Sequence, residues 1–139
     1  HNAMRRLSGT VNVASRASWG FEDRDACLRV PESELKNLRI EHRLAGADAN
    51  PYLALAAILV GLEQGLEGER EPIAPLNEDR SSGIDFPLEM LEAVQAMQSH
   101  APLREGLGAE FVDVYCENKR QDHLAFLHDI SAREYRWFL

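Results

Sequence analysis

The 139-residue sequence lacks several features that mark common protein classes. Its two cysteines, Cys27 and Cys116, stand far apart, which excludes the close cysteine spacing of zinc and dithiol motifs. It has no apolar run of about 18 residues, so we expect no membrane span. It also has no glycine-rich loop ending in Lys-Ser or Lys-Thr, and no dinucleotide-binding fingerprint. Its apolar content of 45% indicates a globular protein. Unpaired thiols favour a reducing compartment, so we expect a cytoplasmic location.

The net charge of −8 is unevenly distributed along the chain. Residues 1–43 contain eight Arg and Lys against six Asp and Glu, whereas residues 44–139 contain seven against seventeen. The front of the chain is therefore the cationic part of an acidic protein, which suits a small anionic ligand. Nucleic acid is not an expected partner, because the acidic bulk would repel a phosphate backbone.

The most informative stretch runs from Leu38 to Leu53. Apolar residues alternate with Arg39, Glu41 and Arg43 at period two, which predicts a strand carrying two guanidinium groups and one carboxylate on one face. Asn50 and Pro51 then predict a helix start, with Asn50 as the cap. A charged face braced by a helix is suited to a binding site, although such a face is also typical of a solvated surface with weak ion pairs.

The chain predicts an α+β fold in which an antiparallel sheet is followed by a helical half. We expect strands at 10–19, 26–30 and 38–43, with short connections that favour antiparallel neighbours. Arg24 and Arg29 cannot share a face of one regular strand, so either Arg24 lies in the preceding turn or a bulge intervenes. Residues 66–86 have the composition of a loop.

Four helices are predicted in addition to a capping motif. A helix from Asn50 to about Gly65 is apolar almost all round and therefore expected to be buried. Further helices are expected from Pro87, over 102–106 and over 109–127. Ser131 and Glu134 have the spacing of a capping box for a last short helix.

Histidines and serines show no arrangement that predicts a catalytic triad. His42 falls on the apolar side of its strand, where a core or interface role is expected. The remaining set is basic with one acid in it: Arg6, Arg24, Arg29, Lys36, Arg39, Arg43 and Glu41. Arginine forks suit carboxylate and phosphate oxygens, and a lone glutamate among them can bind a divalent cation that bridges phosphates. The set suits phosphoryl transfer onto a carboxylate.

Arg39-Ile-Glu-His-Arg43, followed by Asn50-Pro-Tyr-Leu-Ala-Leu-Ala-Ala57, resembles the catalytic domain of the glutamine synthetase family. Upstream, Arg5-Arg6-Leu7, Trp19-Gly20 and the stretch from Asp23 to Pro31 fall in the order seen in that family. The stretches Gly108–Lys119 and Glu134–Trp137 resemble its last helices. The resemblance covers nearly the whole chain and implies that it is a carboxy-terminal part of that catalytic domain.

The resemblance implies a role for each residue of the basic set. Glu41 would bind one of two active-site divalent metals, Mg²⁺ or Mn²⁺. Arg6 and Arg43 would hold the substrate glutamate, and Arg24 would face both the transferred phosphate and the substrate. Arg24 and Arg43 would be the catalytic residues. Arg29, Lys36 and Arg39 would bind the phosphates of ATP.

The implied reaction is ATP-dependent ligation of glutamate to ammonia or an amine through γ-glutamyl phosphate, in a homo-oligomeric ring. Asn12 stands near the position of the family's flap glutamate and carries no charge, which favours an amine substrate, as in the γ-glutamylpolyamine synthetase branch. The family's other metal ligands are not in this sequence, so we expect the chain alone to be inactive. The alternative is a non-catalytic structural or assembly module.

Overall fold

A computed structural model of the protein describes residues 2–7 and 12–138. The chain divides into two compact units, His1–Glu89 and Met90–Leu139. The elements of the first unit are α1 (Asn2–Arg6), β1 (Arg16–Ala17), β2 (Trp19–Phe21), β3 (Leu28–Val30), a 3-10 helix (Leu35–Asn37), β4 (Glu41–His42), α2 (Pro51–Glu67) and β5 (Ile84–Asp85). The second unit contains α3 (Met90–Ser99), α4 (Ala101–Leu107), α5 (Ala109–His128) and α6 (Ala132–Phe138). The predicted α+β class, with sheets followed by helices, is confirmed.

The strands form two small sheets rather than one. β1 pairs with β5 in antiparallel register, and a second sheet has the order β2-β3-β4. β3 and β4 are antiparallel, as predicted, with Arg29 opposite Glu41. β2 and β3 are parallel, so the expectation of antiparallel neighbours is wrong for this pair. The first predicted strand begins at residues 10 and 11, which lie outside the described residues, and its described part contains β1 and the first residue of β2.

The connection from β2 to β3 explains how two consecutive strands can be parallel. Each strand has three residues and is about 10 Å long, whereas the connecting residues 22–27 can span about 20 Å. Glu22 begins the return with a left-handed backbone (φ 52°). The Asp23 carboxylate accepts a hydrogen bond from the backbone N–H of Asp25 at 3.0 Å, which tightens the turn. Arg24 therefore lies in a turn, the first of the two alternatives left open by the sequence.

Residues of the segment predicted as a loop complete the β2 edge. The side chain of Asn77 accepts a hydrogen bond from the Phe21 N–H at 2.7 Å and donates one to the Phe21 carbonyl at 2.8 Å. The Leu76 N–H donates to the Trp19 carbonyl at 2.9 Å. The segment also contains β5, which the sequence did not predict, because a two-residue strand is too short to show a period.

Helix α2 has the predicted start but not the predicted burial. The Asn50 side chain accepts hydrogen bonds from the N–H groups of Tyr52 and Leu53 at 3.0 and 3.3 Å, which confirms the cap. Among the residues of α2, only Val60 is buried, and Leu55 and Leu59 are more than half exposed. The expectation of a buried helix is therefore wrong for the 139 residues present.

The second unit is built around a small apolar core. Val94 of α3 packs with Val112 and Cys116 of α5, both of which are fully buried. α3 begins at Met90 rather than at Pro87. The sequence pattern over 109–127 also places Leu124 and Leu127 on the inner side of the helix, but both are exposed in α5.

Two polar contacts fix the helices of this unit. Arg104 of α4 binds both carboxylate oxygens of Asp113 on α5, at 2.5 and 3.0 Å. The capping box is confirmed: the Ser131 N–H donates to Glu134 at 2.7 Å, and the Glu134 N–H donates to the Ser131 hydroxyl at 3.2 Å. Across residues 2–7 and 12–138, no helix has the length and apolar character that crossing a bilayer requires.

Candidate active site

The predicted charged face forms where β3 and β4 pair. Glu41 accepts a hydrogen bond from Arg29 Nη1 at 2.9 Å through one carboxylate oxygen. Its other oxygen accepts from Arg39 Nη2 at 3.1 Å and from Arg39 Nε at 3.3 Å. The structure therefore brings Arg29, Arg39 and Glu41 together, three of the seven residues predicted for the site. Both oxygens of Glu41 are engaged by guanidinium groups in this arrangement.

The residues between the charged ones point to the other side of the strand, as the period-two pattern predicts. Ile40, His42 and Leu44 line an apolar cavity together with residues of α2. The alternation extends beyond the two residues of β4, so the side-chain pattern identified the faces better than it identified the strand boundaries. His42 lies on the apolar face, as expected, but it is exposed rather than part of a core.

Glu22 belongs to the cluster and was missed by the sequence analysis. Its carboxylate accepts from Arg29 Nη2 at 2.7 Å and from the Glu32 N–H at 2.6 Å. Arg29 is consequently held between two carboxylates, those of Glu22 and Glu41. The charge of Glu22 was visible in the sequence, but its left-handed backbone directs the side chain to a place that strand parity could not indicate.

The pKa values of Glu22 and Glu41 are both lowered, but the main contribution differs between the two carboxyls. The hydrogen bond from Arg29 is the main reason that the pKa of Glu22 is low, and the Glu32 N–H adds to it. Partial burial alone would raise the pKa of Glu41, but the hydrogen bonds from Arg29 and Arg39 together outweigh burial and lower this pKa. Glu41 is therefore held in its ionised form.

Arg6 and Arg43 each donate a hydrogen bond to a backbone carbonyl. Arg6 Nη2 donates to the Leu44 carbonyl, the residue that follows Arg43. Arg43 Nη2 donates to the Asn12 carbonyl at 3.1 Å. The Asn12 N–H in turn donates to Asp25 at 3.1 Å, and Asn12 has a left-handed backbone (φ 63°). The backbone N–H and the backbone carbonyl of Asn12 are thus each hydrogen-bonded to a charged side chain.

Arg24 and Lys36 are more loosely placed. Arg24 is exposed in the turn after β2, near enough to Glu22 that its charge contributes to lowering the pKa of that carboxyl. Lys36 lies in the 3-10 helix, where its ammonium group pairs with Glu34 at 2.7 Å and is about three-quarters exposed. The contacts of Lys36 therefore join it to Glu34 and not to the Glu41 cluster.

The side chains of this cluster could contribute to binding a metal ion and the phosphates of a nucleotide. Within residues 2–7 and 12–138, no three His, Cys, Asp or Glu side chains are grouped closely enough to hold a metal ion. Glu41 can provide one carboxylate ligand, so a complete metal site needs ligands from outside this set. Arg39 is about half exposed, and its guanidinium group suits phosphate oxygens.

The sequence of the chain is similar to known proteins of one family. A family model described as "Glutamine synthetase, catalytic domain" matches residues 1–138. The chain is 37% identical over 144 aligned residues to the gamma-glutamylputrescine synthetase PuuA of Escherichia coli, covering 99% of this chain and 30% of that protein. It is 31% identical over 142 residues to the glutamine synthetase of Pyrococcus abyssi, covering 95% of this chain and 32% of that one.

A solved structure shows the same fold. The cryo-electron microscopy structure of Plasmodium falciparum glutamine synthetase matches 99% of this chain with a TM-score of 0.84 and 17% identity, over 37% of its own length. The 139 residues span about a third of the length of these relatives. The charged cluster on β3 and β4 is therefore part of a catalytic-domain fold, and the chain belongs to the glutamine synthetase family.

Proposed function

We propose that the 139 residues are a carboxy-terminal part of a catalytic domain that ligates glutamate to ammonia or an amine at the expense of ATP. The observation that carries the proposal is Glu41, held ionised between Arg29 and Arg39 on one face of β4. Such a group combines one metal-binding carboxylate with cations suited to phosphate oxygens. The family membership supplies the reaction class.

The proposed reaction has two steps. An oxygen of the glutamate side-chain carboxylate attacks the terminal phosphorus of ATP, and ADP leaves. The nitrogen of ammonia or an amine then attacks the acyl carbon of γ-glutamyl phosphate, phosphate leaves, and the nitrogen loses a proton. Negative charge moves between phosphate and carboxylate oxygens in both steps. Fixed cations are therefore the main means by which the protein can stabilise the transition states.

Each cation of the site has a proposed place in these steps. Arg6 and Arg43 hold the glutamate, and Arg24 faces both the transferred phosphate and the glutamate. Arg29, Lys36 and Arg39 bind the ATP phosphates. The support differs among them, because Arg29 and Arg39 contact Glu41 directly whereas Lys36 contacts Glu34. Glu41 provides one ligand to a divalent metal, Mg²⁺ or Mn²⁺, which when bound would neutralise phosphate charge. The complete enzyme is proposed to be a homo-oligomeric ring.

The nitrogen compound that attacks γ-glutamyl phosphate is proposed to be an organic amine rather than ammonia. Two observations support this: the similarity to a gamma-glutamylputrescine synthetase, and the presence of an uncharged residue, Asn12, whose backbone carbonyl accepts a hydrogen bond from Arg43. A carboxylate at that position would favour a cationic ammonium and assist its deprotonation, and an amide provides neither effect.

A chimera tests the proposed function. The matched segment of the E. coli gamma-glutamylputrescine synthetase is replaced by these 139 residues, and glutamate-dependent ADP release is measured with putrescine and with ammonia. We expect turnover that is faster with putrescine and is lost in the Arg43→Ala variant. The control is Lys119→Gln, which removes a cation paired with Asp122 on α5 and should leave turnover unchanged.

The second candidate, a non-catalytic structural or assembly module, is favoured by one observation. Both oxygens of Glu41 are engaged by arginine side chains, which is also how a purely structural ion-pair group would look. A chimera that folds and assembles like the parent but releases no ADP with any amine would support this candidate and contradict the ligase.

A further inference from the structure

A short segment after α2, residues 76–80, lies along the outer edge of β2, the edge that is not paired with β3. The Leu76 N–H donates a hydrogen bond to the Trp19 carbonyl at 2.9 Å. One residue later, the side-chain amide of Asn77 accepts from the Phe21 N–H at 2.7 Å and donates to the Phe21 carbonyl at 2.8 Å. The amide of Asn77 thus pairs with Phe21 as the backbone of a neighbouring strand would.

The side chain of Asn77 fits closely against Gly20. A Cβ atom at residue 20 would lie 2.9 Å from Asn77 Oδ1, which is closer than carbon and oxygen atoms that are not bonded normally approach. Gly20 is buried in the strand, so a larger side chain there could not turn toward solvent. The glycine at this position therefore lets the amide of Asn77 reach both polar groups of Phe21.

The same segment also holds the residue that follows Glu22. Arg80 Nη1 pairs with the Asp23 carboxylate at 2.7 Å, and the side chain of Asp23 is only 6% exposed. Asn77 and Arg80 therefore hold Phe21 and Asp23, the residues on the two sides of Glu22. Glu22 has a φ of 52°, a left-handed conformation that is unfavourable for a residue other than glycine. Such a conformation persists where the surrounding contacts fix it.

Glu22 connects this turn to the charged cluster. Its carboxylate accepts hydrogen bonds from Arg29 Nη2 at 2.7 Å and from the Glu32 N–H at 2.6 Å. Arg29 Nη1 donates to Glu41 at 2.9 Å. Because a guanidinium group is planar and rigid, the position of Glu22 determines the direction in which Arg29 presents its other nitrogen to Glu41.

We propose that Asn77 is a positioning residue of the charged cluster, which acts through Phe21 and Glu22 on the orientation of Arg29. The side chain of Asn77 is exposed, so water can replace its hydrogen bonds when the amide is removed. We therefore expect the fold to survive this loss, while the turn at Glu22 is no longer fixed. The consequence for catalysis rests on the proposed function, in which Arg29 binds the phosphates of ATP.

Carboxyl-detected NMR titration of the 139-residue chain tests the link from Asn77 to Glu22 without any need for catalysis. We expect Asn77→Ala to raise the pKa of Glu22 by about 0.5 or more, because the Arg29 hydrogen bond that lowers it is loosened. The pKa of Asp113, which is lowered mainly by Arg104 in the second unit, should stay the same. An unchanged Glu22 pKa in this variant overturns the proposal.

Two control variants separate positioning from stability, which urea unfolding measures. Val60→Ala truncates a buried residue of α2 and should destabilise the first unit without changing the pKa of Glu22. Asn118→Ala removes an exposed amide of α5 and should change neither the stability of the first unit nor this pKa. A Glu22 pKa that rises as much in Val60→Ala as in Asn77→Ala would show a general loosening of the unit and overturn the positioning role.

The chimera with the E. coli relative tests the consequence for the reaction. In the assay of glutamate-dependent ADP release, Asn77→Ala should raise the KM for ATP about threefold or more. The KM for glutamate should not change, because Arg6 and Arg43 contact other parts of the backbone. An unchanged KM for ATP, or an equal increase in both KM values, overturns the proposal. A chimera that shows no turnover before Asn77 is replaced would contradict the proposed function, and the titration would still decide whether Asn77 positions Glu22.

Discussion

Arg29 is the side chain on which the geometry of the charged cluster depends. Its two terminal nitrogens reach different carboxylates, Glu22 at 2.7 Å and Glu41 at 2.9 Å, and its side chain is only 17% exposed. A guanidinium group is suited to this because its donors lie in one rigid plane. The position of Glu41 on β4 is therefore fixed through Arg29 on the neighbouring strand, which is held in turn by Glu22 in the turn before that strand.

Replacing Arg29 should therefore change the titration of both carboxylates. We expect Arg29→Met to raise the pKa of Glu22, whose main cause of lowering is the Arg29 hydrogen bond, and to raise the pKa of Glu41 as well. Carboxyl-detected NMR titration measures both. Asp79 serves as an internal control, because its pKa is lowered mainly by Ser81. A Glu22 pKa that stays unchanged in the variant would contradict the bridging role of Arg29.

His42 gives the first unit a pH dependence that can be isolated. Although part of its surface is exposed, the apolar cavity lining around its ring desolvates the imidazole and lowers its pKa below the ordinary value of 6.5. The unfolded chain therefore takes up a proton at a higher pH than the folded chain does. The free energy of unfolding should therefore fall as the pH drops from about 7 to 5. Carboxyls with lowered pKa values act in the same direction but only below about 4.5, so the two effects separate.

The substitution His42→Leu should remove the loss of stability between pH 7 and 5 while keeping the apolar surface. Urea unfolding followed by the fluorescence of Trp19 measures the first unit, in a Trp137→Phe background that removes the signal of the second. An equal pH slope in the variant and its parent would show that another group is responsible.

At the scale of elements, the sequence predicted what depends on neighbouring residues. The alternation at residues 39–44, the Asn50 cap and the Ser131–Glu134 capping box were all predicted and are confirmed by direct contacts. Each is decided within a few residues, so the pattern contains the whole cause. The charged group of Arg29, Arg39 and Glu41 was predictable for the same reason, once two strands were expected to pair.

The predictions that failed depend on more distant parts of the fold. The parallel pairing of β2 with β3 requires the reversal at Glu22 and the support of Asn77, which lies 56 residues from Phe21. The burial of α2 depends on what covers it, and periodicity reports only that the helix has apolar residues on nearly every side. Glu22 was missed because a positive φ outside glycine is not visible in a sequence.

The helical unit offers a matched pair of substitutions on one element. Val112 and Val114 are both in α5, but Val112 is fully buried and Val114 is 58% exposed. We expect Val112→Ala to lower the free energy of unfolding by about 2 kcal/mol, since two buried carbon atoms are lost and a cavity remains. Val114→Ala should change it by less than about 0.5 kcal/mol.

The comparison is clean because any gain in helix propensity applies to both variants. Urea unfolding followed by circular dichroism measures each value. Equal losses in the two variants would contradict the assignment of Val112 to the core.

At the scale of the whole molecule, the charged cluster and the apolar cavity share one short strand. β4 carries Glu41 on one face and His42, which lines the apolar cavity, on the other. A shift of this strand would therefore move the carboxylate and the cavity lining together.

We predict that the 139 residues fold as described but do not catalyse ligation alone. We expect no glutamate-dependent ADP release from the isolated chain with ATP, Mg²⁺ or Mn²⁺, and ammonia or putrescine. The reason is that Glu41 is a single carboxylate and that no three ligating side chains cluster within residues 2–7 and 12–138. A coupled enzyme assay for ADP measures this, with circular dichroism to establish that the chain is folded. ADP release that requires glutamate and disappears in the Glu41→Gln variant would show instead that Glu41, together with the cations of β3 and β4, suffices for phosphoryl transfer.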